Sequence, residues 1–185
     1  MARWSKAVIC LFLLGGILAG TGLAVAEEDF QEAEKILGVK GQIQEGAWVV
    51  RFPRQDLTVA VDGDSLPTAL GFGSWAAFKA MGPKQVMVMG DLVLLEKEVN
   101  PVISALESAG LQVTALHNHF IRETPRIMFM HMGGMGSVAA MAQGVKNALD
   151  QTATPRAGSG AAGSPPQPVS LDTKRLEKTM GYPGK

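Results

Sequence analysis

The 185-residue chain has almost no cysteine or histidine: one of the first, Cys10, and three of the second. Cys10 sits in the apolar run "AVICLFLLGGILAGTGLAVA", ahead of Ala24-Val25-Ala26, a tripeptide of the small-x-small cleavage type. A chain cut there holds no thiol. Disulfides are then excluded, and the fold must rest on a hydrophobic core. A basic surplus is also missing. Residues 27–150 hold 10 Lys/Arg against 15 Asp/Glu, a net charge of −5. Such an acidic body argues against nucleic acid as a partner, because phosphate binding needs a basic face. The chain has no P-loop, no dinucleotide fingerprint and no G-x-S-x-G elbow, so nucleotide chemistry and serine hydrolysis lack their usual equipment.

The first 26 residues read as an export signal, with Arg3 and Lys6 as its positive region. The expected destination is periplasmic or extracellular. Left uncleaved, this segment would be the chain's contact with a membrane, since about 20 apolar residues suffice to span one. Residues 27–150 form one domain of ordinary size. Residues 151–169, "QTATPRAGSGAAGSPPQPV", are rich in Gly, Ala, Ser and Pro without apolar period and read as a disordered linker. The tail, 170–185, can be laid on the start of the domain at an offset of 143. Asp29/Asp172, Glu34/Glu177, Lys35/Lys178, Gly38/Gly181 and Gly41/Gly184 then coincide. The tail therefore resembles the opening of a second domain copy.

Within the domain, "DFQEAEKILG" predicts a helix stopped by Gly38. "AWVVRFPR" and "LTVAVDGD" predict neighbouring strands, and "LGFGSWAAFKAMG" is ambiguous between helix and loop. "QVMVMGDLVLLE" predicts a strand broken at Gly90-Asp91. After it come a helix over "KEVNPVISALESAG", a strand over "LQVTALHNHFI", a turn at "RETPR", a return strand "IMFMHM" and a helix capped by Ser137. The second half thus runs β-α-β-β-α. That order predicts an α+β fold, a mainly antiparallel sheet with helices packed on one face.

All three histidines fall between Ala115 and Gly134. Residues two apart on a strand share a face, which puts His117 and His119 together. A three-residue connection, Glu123-Thr124-Pro125, would pair Arg122 with Arg126 and set His117 opposite His131 and His119 opposite Phe129. A register shifted by two would set His119 opposite His131 instead. Either way the imidazoles cluster, and Asn118 points to the opposite face. Met128, Met130 and Met132 also lie on that opposite face; a thioether row of this kind, with Met135 following closely, could bind Cu(I), but methionine more often packs into a core. Three imidazoles with an open fourth position suit zinc, and copper also accepts such donors. Glu123 and Asp91 are the carboxylates available to complete the shell or act as base. The spacing H-x-H-x₃-E resembles the first motif of cupin barrels, but the regular succession of short strands such a barrel needs is missing. Trp48 and Trp75 read as core or groove-lining residues.

The block "GDLVLLEKEVNPVISALESAGLQVTALHNHFIRETPRIMFMHMGG" resembles the signature region of the LppY/LpqO-like bacterial proteins, an exported or lipid-anchored family without an assigned reaction. The resemblance implies that "HNH" and "FMH" travel together, and it carries over to His117, Asn118, His119 and His131. No cysteine stands at the cleavage site here, unlike in the lipid-anchored members. Three functions remain open at this level. The first is an exported domain binding zinc or copper through His117, His119 and His131. The second is a metal-dependent hydrolase with Glu123 or Asp91 as base. The third is a structural or interaction module without metal.

Overall fold

The structure, a computed structural model, describes residues 27–155 and 172–184. The expected export signal and most of the expected linker lie outside the described residues. Nine strands and four helices follow in chain order among those that are described. They are α1 (Glu27–Leu37), β1 (Gln42–Gln44), β2 (Ala47–Pro53), β3 (Val59–Val61), β4 (Asp64–Leu66), β5 (Gly73–Gly82) and β6 (Gln85–Leu95). A 3-10 turn at Glu96–Glu98 leads into α2 (Val99–Ser108), β7 (Gln112–His117), β8 (Glu123–Thr124), β9 (Ile127–Gly136), α3 (Val138–Leu149) and α4 (Thr173–Met180).

Six strands form one sheet in the order β1-β2-β5-β6-β9-β7, and β4-β3-β8 form a small second sheet. Every paired strand is antiparallel. The fold is the expected α+β arrangement. Alternate residues of the large sheet face the helices: Trp48, Val50 and Phe52 of β2, Ala76 and Phe78 of β5, Val86, Val88, Leu92 and Leu94 of β6, and Met130 and Met132 of β9. They share one core with Phe30, Ala33 and Leu37 of α1, Val102 and Leu106 of α2, and Met141, Val145 and Ala148 of α3. Trp48 stacks on Phe30, ring centroids 5.6 Å apart, and meets Phe78 edge-on at 5.3 Å. Burying aromatic surface of this kind contributes most per residue to a core that no disulfide assists. The alternating methionines of β9 belong to this core, as their parity implied.

Among the described residues, the other face of the large sheet is covered only at one end. There Val59, Phe72, Val93, Ile127 and Phe129 form a smaller cluster beneath the second sheet. Two expectations about β-structure need correcting on this account. "AWVVRFPR" and "LTVAVDGD" are not neighbours: β2 pairs with β1 and β5, whereas β3 pairs with β4 and β8. "LGFGSWAAFKAMG" holds β5, a central strand, and it supplies β2's true partner.

The strand "QVMVMGDLVLLE" is not broken at Gly90-Asp91. β6 runs through both residues, paired to β5 on one side and β9 on the other. Gly90 is there for space, not for a turn. A Cβ at that position would meet Met132 and lie 2.5 Å from the Trp75 carbonyl oxygen, so only glycine lets the three strands close up.

A buried ion network holds the end of β2 against the turn before α2. Arg54, fully buried, donates to Glu98 at 2.8 Å, to Asp56 at 2.8 Å and to the Val93 carbonyl at 2.6 Å. Glu98 in turn accepts from the Leu95 and Ala153 amides, at 2.8 and 3.3 Å. With Thr154 also buried, the packed body continues past α3 to the start of the linker.

The offset noticed in the sequence recurs in local geometry. Gly38 ends α1 at φ 73° and donates to the Glu34 carbonyl at 2.8 Å; Gly181 ends α4 at φ 68° and donates to the Glu177 carbonyl at 2.8 Å. The Gly41 amide meets the Glu34 side chain at 3.1 Å, and the Gly184 amide meets the Glu177 side chain at 3.2 Å. Glycine suits both positions because the left-handed conformation costs it nothing.

Candidate functional site

The histidines gather on the face of the large sheet away from the helices, though not by the register their spacing suggested. β7 pairs with β9 so that His117 lies opposite Phe129 and Ala115 opposite His131. The expected pairing of His117 with His131 is therefore off by two residues. The cause lies in the connection. The "RETPR" segment is not a tight turn: Glu123 and Thr124 leave the hairpin to pair with β3 in the second sheet. Arg122 is drawn away from Arg126 and forms a bidentate ion pair with Asp62. A further register shift between Val113 and Ala115 adjusts β7 against β9. Because slips of two residues preserve parity, the imidazoles still share a face.

His117 and His131 meet directly, with Nε2 to Nε2 3.0 Å apart. One ring donates and the other accepts, so a single proton serves the pair. Their rings stand nearly edge-on, 68° apart. His119 lies beyond the end of β7, exposed, and takes part through its ring rather than its nitrogens. It stacks on Phe129 at a centroid distance of 3.5 Å and lies parallel to His117 at 5.1 Å. Phe129 is thus both the edge of the smaller core and the floor under two imidazoles. The sequence placed Phe129 among the histidines without marking it as their support.

Asp91 completes the group from β6. Its strand position is directly opposite His131, and Trp75 of β5 lies directly opposite Asp91 on the other side. The carboxylate Oδ2 stands 3.8 Å from His131 Nε2, beyond hydrogen-bond distance. Asp91 Oδ1 is buried and has no hydrogen-bond partner. Burial raises the Asp91 pKa above the usual carboxylate value, against the opposing pull of His131, His117 and His119. An unpartnered buried oxygen beside two converging imidazole nitrogens is an electrostatic position that a proton or a cation would satisfy.

Glu123, the other candidate carboxylate, points into the smaller core. Its Oε1 accepts from the Ile127 amide at 3.4 Å and faces Arg126 at 3.7 Å, while Oε2 is buried without a partner. Among the described residues, no hydrogen bond or ion pair joins it to a histidine. Asn118 turns to the Phe120 carbonyl and not to the imidazoles.

Among the described residues, no group of three or more His, Cys, Asp or Glu side chains stands already arranged to hold a metal ion. The donor chemistry nevertheless fits one in part. Two imidazole nitrogens on a tetrahedral zinc, with Zn–N about 2.0–2.1 Å, lie about 3.3 Å apart. The 3.0 Å between His117 and His131 is close to that bite. Asp91, with Oδ2 3.8 Å from His131 Nε2, would have to move to join them.

A family model described as Domain of Unknown Function (DUF1259) matches residues 31–151, from α1 to just past the end of α3. No curated protein and no solved structure matches the chain. Among the described residues, no helix is long and apolar enough to cross a membrane.

Proposed function

This chain belongs to the family described as Domain of Unknown Function (DUF1259), and we propose, from its own residues, that it is an exported metal-binding domain. The ion, zinc or copper, is held by His117 and His131 of the open sheet face with Asp91 as the third donor. The resemblance of Gly90–Gly134 to the LppY/LpqO-like proteins is part of the same reading. The observation that carries it is the 3.0 Å approach of two imidazole nitrogens beside a buried, unpartnered carboxylate oxygen. Without an ion, burial leaves Asp91 a desolvation cost that the neighbouring imidazoles only partly offset, which is why its pKa rises. Coordination removes that cost and replaces the shared proton. His119, stacked on Phe129, walls the site and can supply a further nitrogen by turning off its ring contact.

An open face favours binding and transfer over catalysis, because a catalytic metal works best in a dry, enclosed site. A hydrolytic reading keeps one support: Asp91 Oδ1 is a free, partly desolvated base next to the imidazoles. Calorimetric titration of Zn²⁺ and Cu²⁺ into the untagged full chain tests the binding role, with the His117→Ala/His131→Ala double variant as its control. One ion per chain, bound about tenfold or more weakly by the double variant, is the expected result. Equal binding by both proteins overturns the assignment.

A further inference from the structure

The open face carries a second feature that neither the core nor the histidine cluster uses. Met87 and Met89 of β6 and Met135 of β9 all project from it. Met87 is directly opposite Met135, and Met89 is directly opposite Gly133. Met89 is 58 % exposed and Met135 50 % exposed, whereas Met130 and Met132, on the helix side of β9, are fully buried. Methionine usually earns its place by filling a core. These three sit on the wrong side of the sheet for that, and no hydrophobic core cluster among the described residues includes them.

The spacing suits convergence. Directly opposed residues have Cβ atoms about 5 Å apart, and same-face neighbours along a strand are about 7 Å apart. Each thioether lies two bonds beyond its Cβ on a flexible arm, so three sulfurs rooted this closely can meet at one point. Small neighbours leave Met89 the room to do so: Ala77 lies opposite it on β5 and Gly133 on β9. Lys79 lies opposite Met87, but its ammonium is turned to the Gly46 carbonyl at 3.1 Å.

We infer that Met87, Met89 and Met135 form a thioether site for a soft monovalent ion, Cu(I) by chemical class. Soft sulfur ligands without carboxylates select Cu(I) over zinc, calcium or magnesium. The site goes beyond the histidine reading and does not depend on it, since it uses different side chains on the same face. Met89 lies one same-face step along β6 from Asp91, and Met135 lies two same-face steps along β9, through Gly133, from His131. A copper ion in either oxidation state would therefore find matching donors on neighbouring patches. No electron transfer is required for binding at the methionines.

The test uses Ag(I), a redox-inert stand-in for Cu(I), added to the full chain carrying ¹³C-methyl methionine. The ε-methyl resonances of Met87, Met89 and Met135 are expected to shift together and saturate at one ion, with those of Met130 and Met132 unmoved. Met87→Leu/Met89→Leu/Met135→Leu should weaken Ag(I) and Cu(I) binding about tenfold or more while keeping its Zn²⁺ titration. His117→Ala/His131→Ala should keep the methyl shifts, which separates this site from the histidine site. Unshifted methyl signals, or the same Ag(I) affinity in the triple leucine variant, overturn the proposal. Core methyl signals shifting equally with the three would overturn it too.

Discussion

The two faces of the large sheet are built from the same strands and do different work. On the helix side, β9 presents Met130 and Met132 to a continuous core closed by α1, α2 and α3. On the other side, the same strand presents Phe129, His131, Gly133 and Met135. One face is dry and holds its large apolar side chains against helices. The other is roofed only at the end where the second sheet lies, and beyond it come Asp91, the histidines and exposed methionines. The period of two in a strand keeps these roles apart residue by residue. Beyond the end covered by the second sheet, stability and site chemistry should then be separable by parity.

The largest test of that separation is a pair of truncations. Phe52→Ala on the helix face should cost about 3–5 kcal/mol, as for other fully buried aromatics. Met89→Ala on the open face should stay within about 0.5 kcal/mol, as for surface positions. Urea denaturation followed by circular dichroism measures both. A comparable loss at Met89 would mean that the open face is packed and not free.

Arg54 sharpens the comparison at the sheet's edge, where both faces meet the turn before α2. Arg54→Ala leaves Glu98 buried and unpaired, which should cost about 3–5 kcal/mol. Replacing Arg54 and Glu98 together by apolar residues of similar size should recover part of that loss. If the double replacement is no better than the single, the network matters for its hydrogen bonds to Val93 and Ala153 more than for its charges.

Asp91 gives a smaller, pH-dependent effect. Its folded-state pKa lies above its ordinary value because of burial, so the folded protein holds that proton more tightly than the unfolded chain. The stabilisation from this proton is complete below the unfolded carboxylate value of about 3.9. It is lost as pH rises through the raised folded value. Asp91→Asn should therefore flatten the stability profile across that window and make the metal-free protein more stable than wild type at neutral pH. The same variant should bind metal more weakly. A stability profile unchanged by the substitution would show that Asp91 is solvated in the folded state.

Much of this was legible in the sequence, and the failures are instructive. Periodicity carried the helices, the antiparallel architecture and the core role of the β9 methionines. Parity carried the clustering of the histidines even though their register was set two residues wrong. Register was lost because Glu123 and Thr124 pair with β3, a partner some sixty residues away in sequence that no local turn rule can see. Gly90 misled for a related reason: a glycine that makes room for Met132 looks, in sequence, like one that breaks a strand. With β6 read as broken, Met87, Met89 and Asp91 could not be placed on one face, and the methionine patch went unseen. Arg54 and Glu98 are 44 residues apart, and nothing in the local pattern joins them.

The central claim is that two imidazoles and a carboxylate of the open face take one divalent ion. X-ray absorption by the zinc-loaded full chain tests it most directly. The expected shell holds two imidazole nitrogens at about 2.0–2.1 Å and oxygen in the remaining positions, reduced to no imidazole in His117→Ala/His131→Ala. A wild-type shell with fewer than two imidazoles would contradict it.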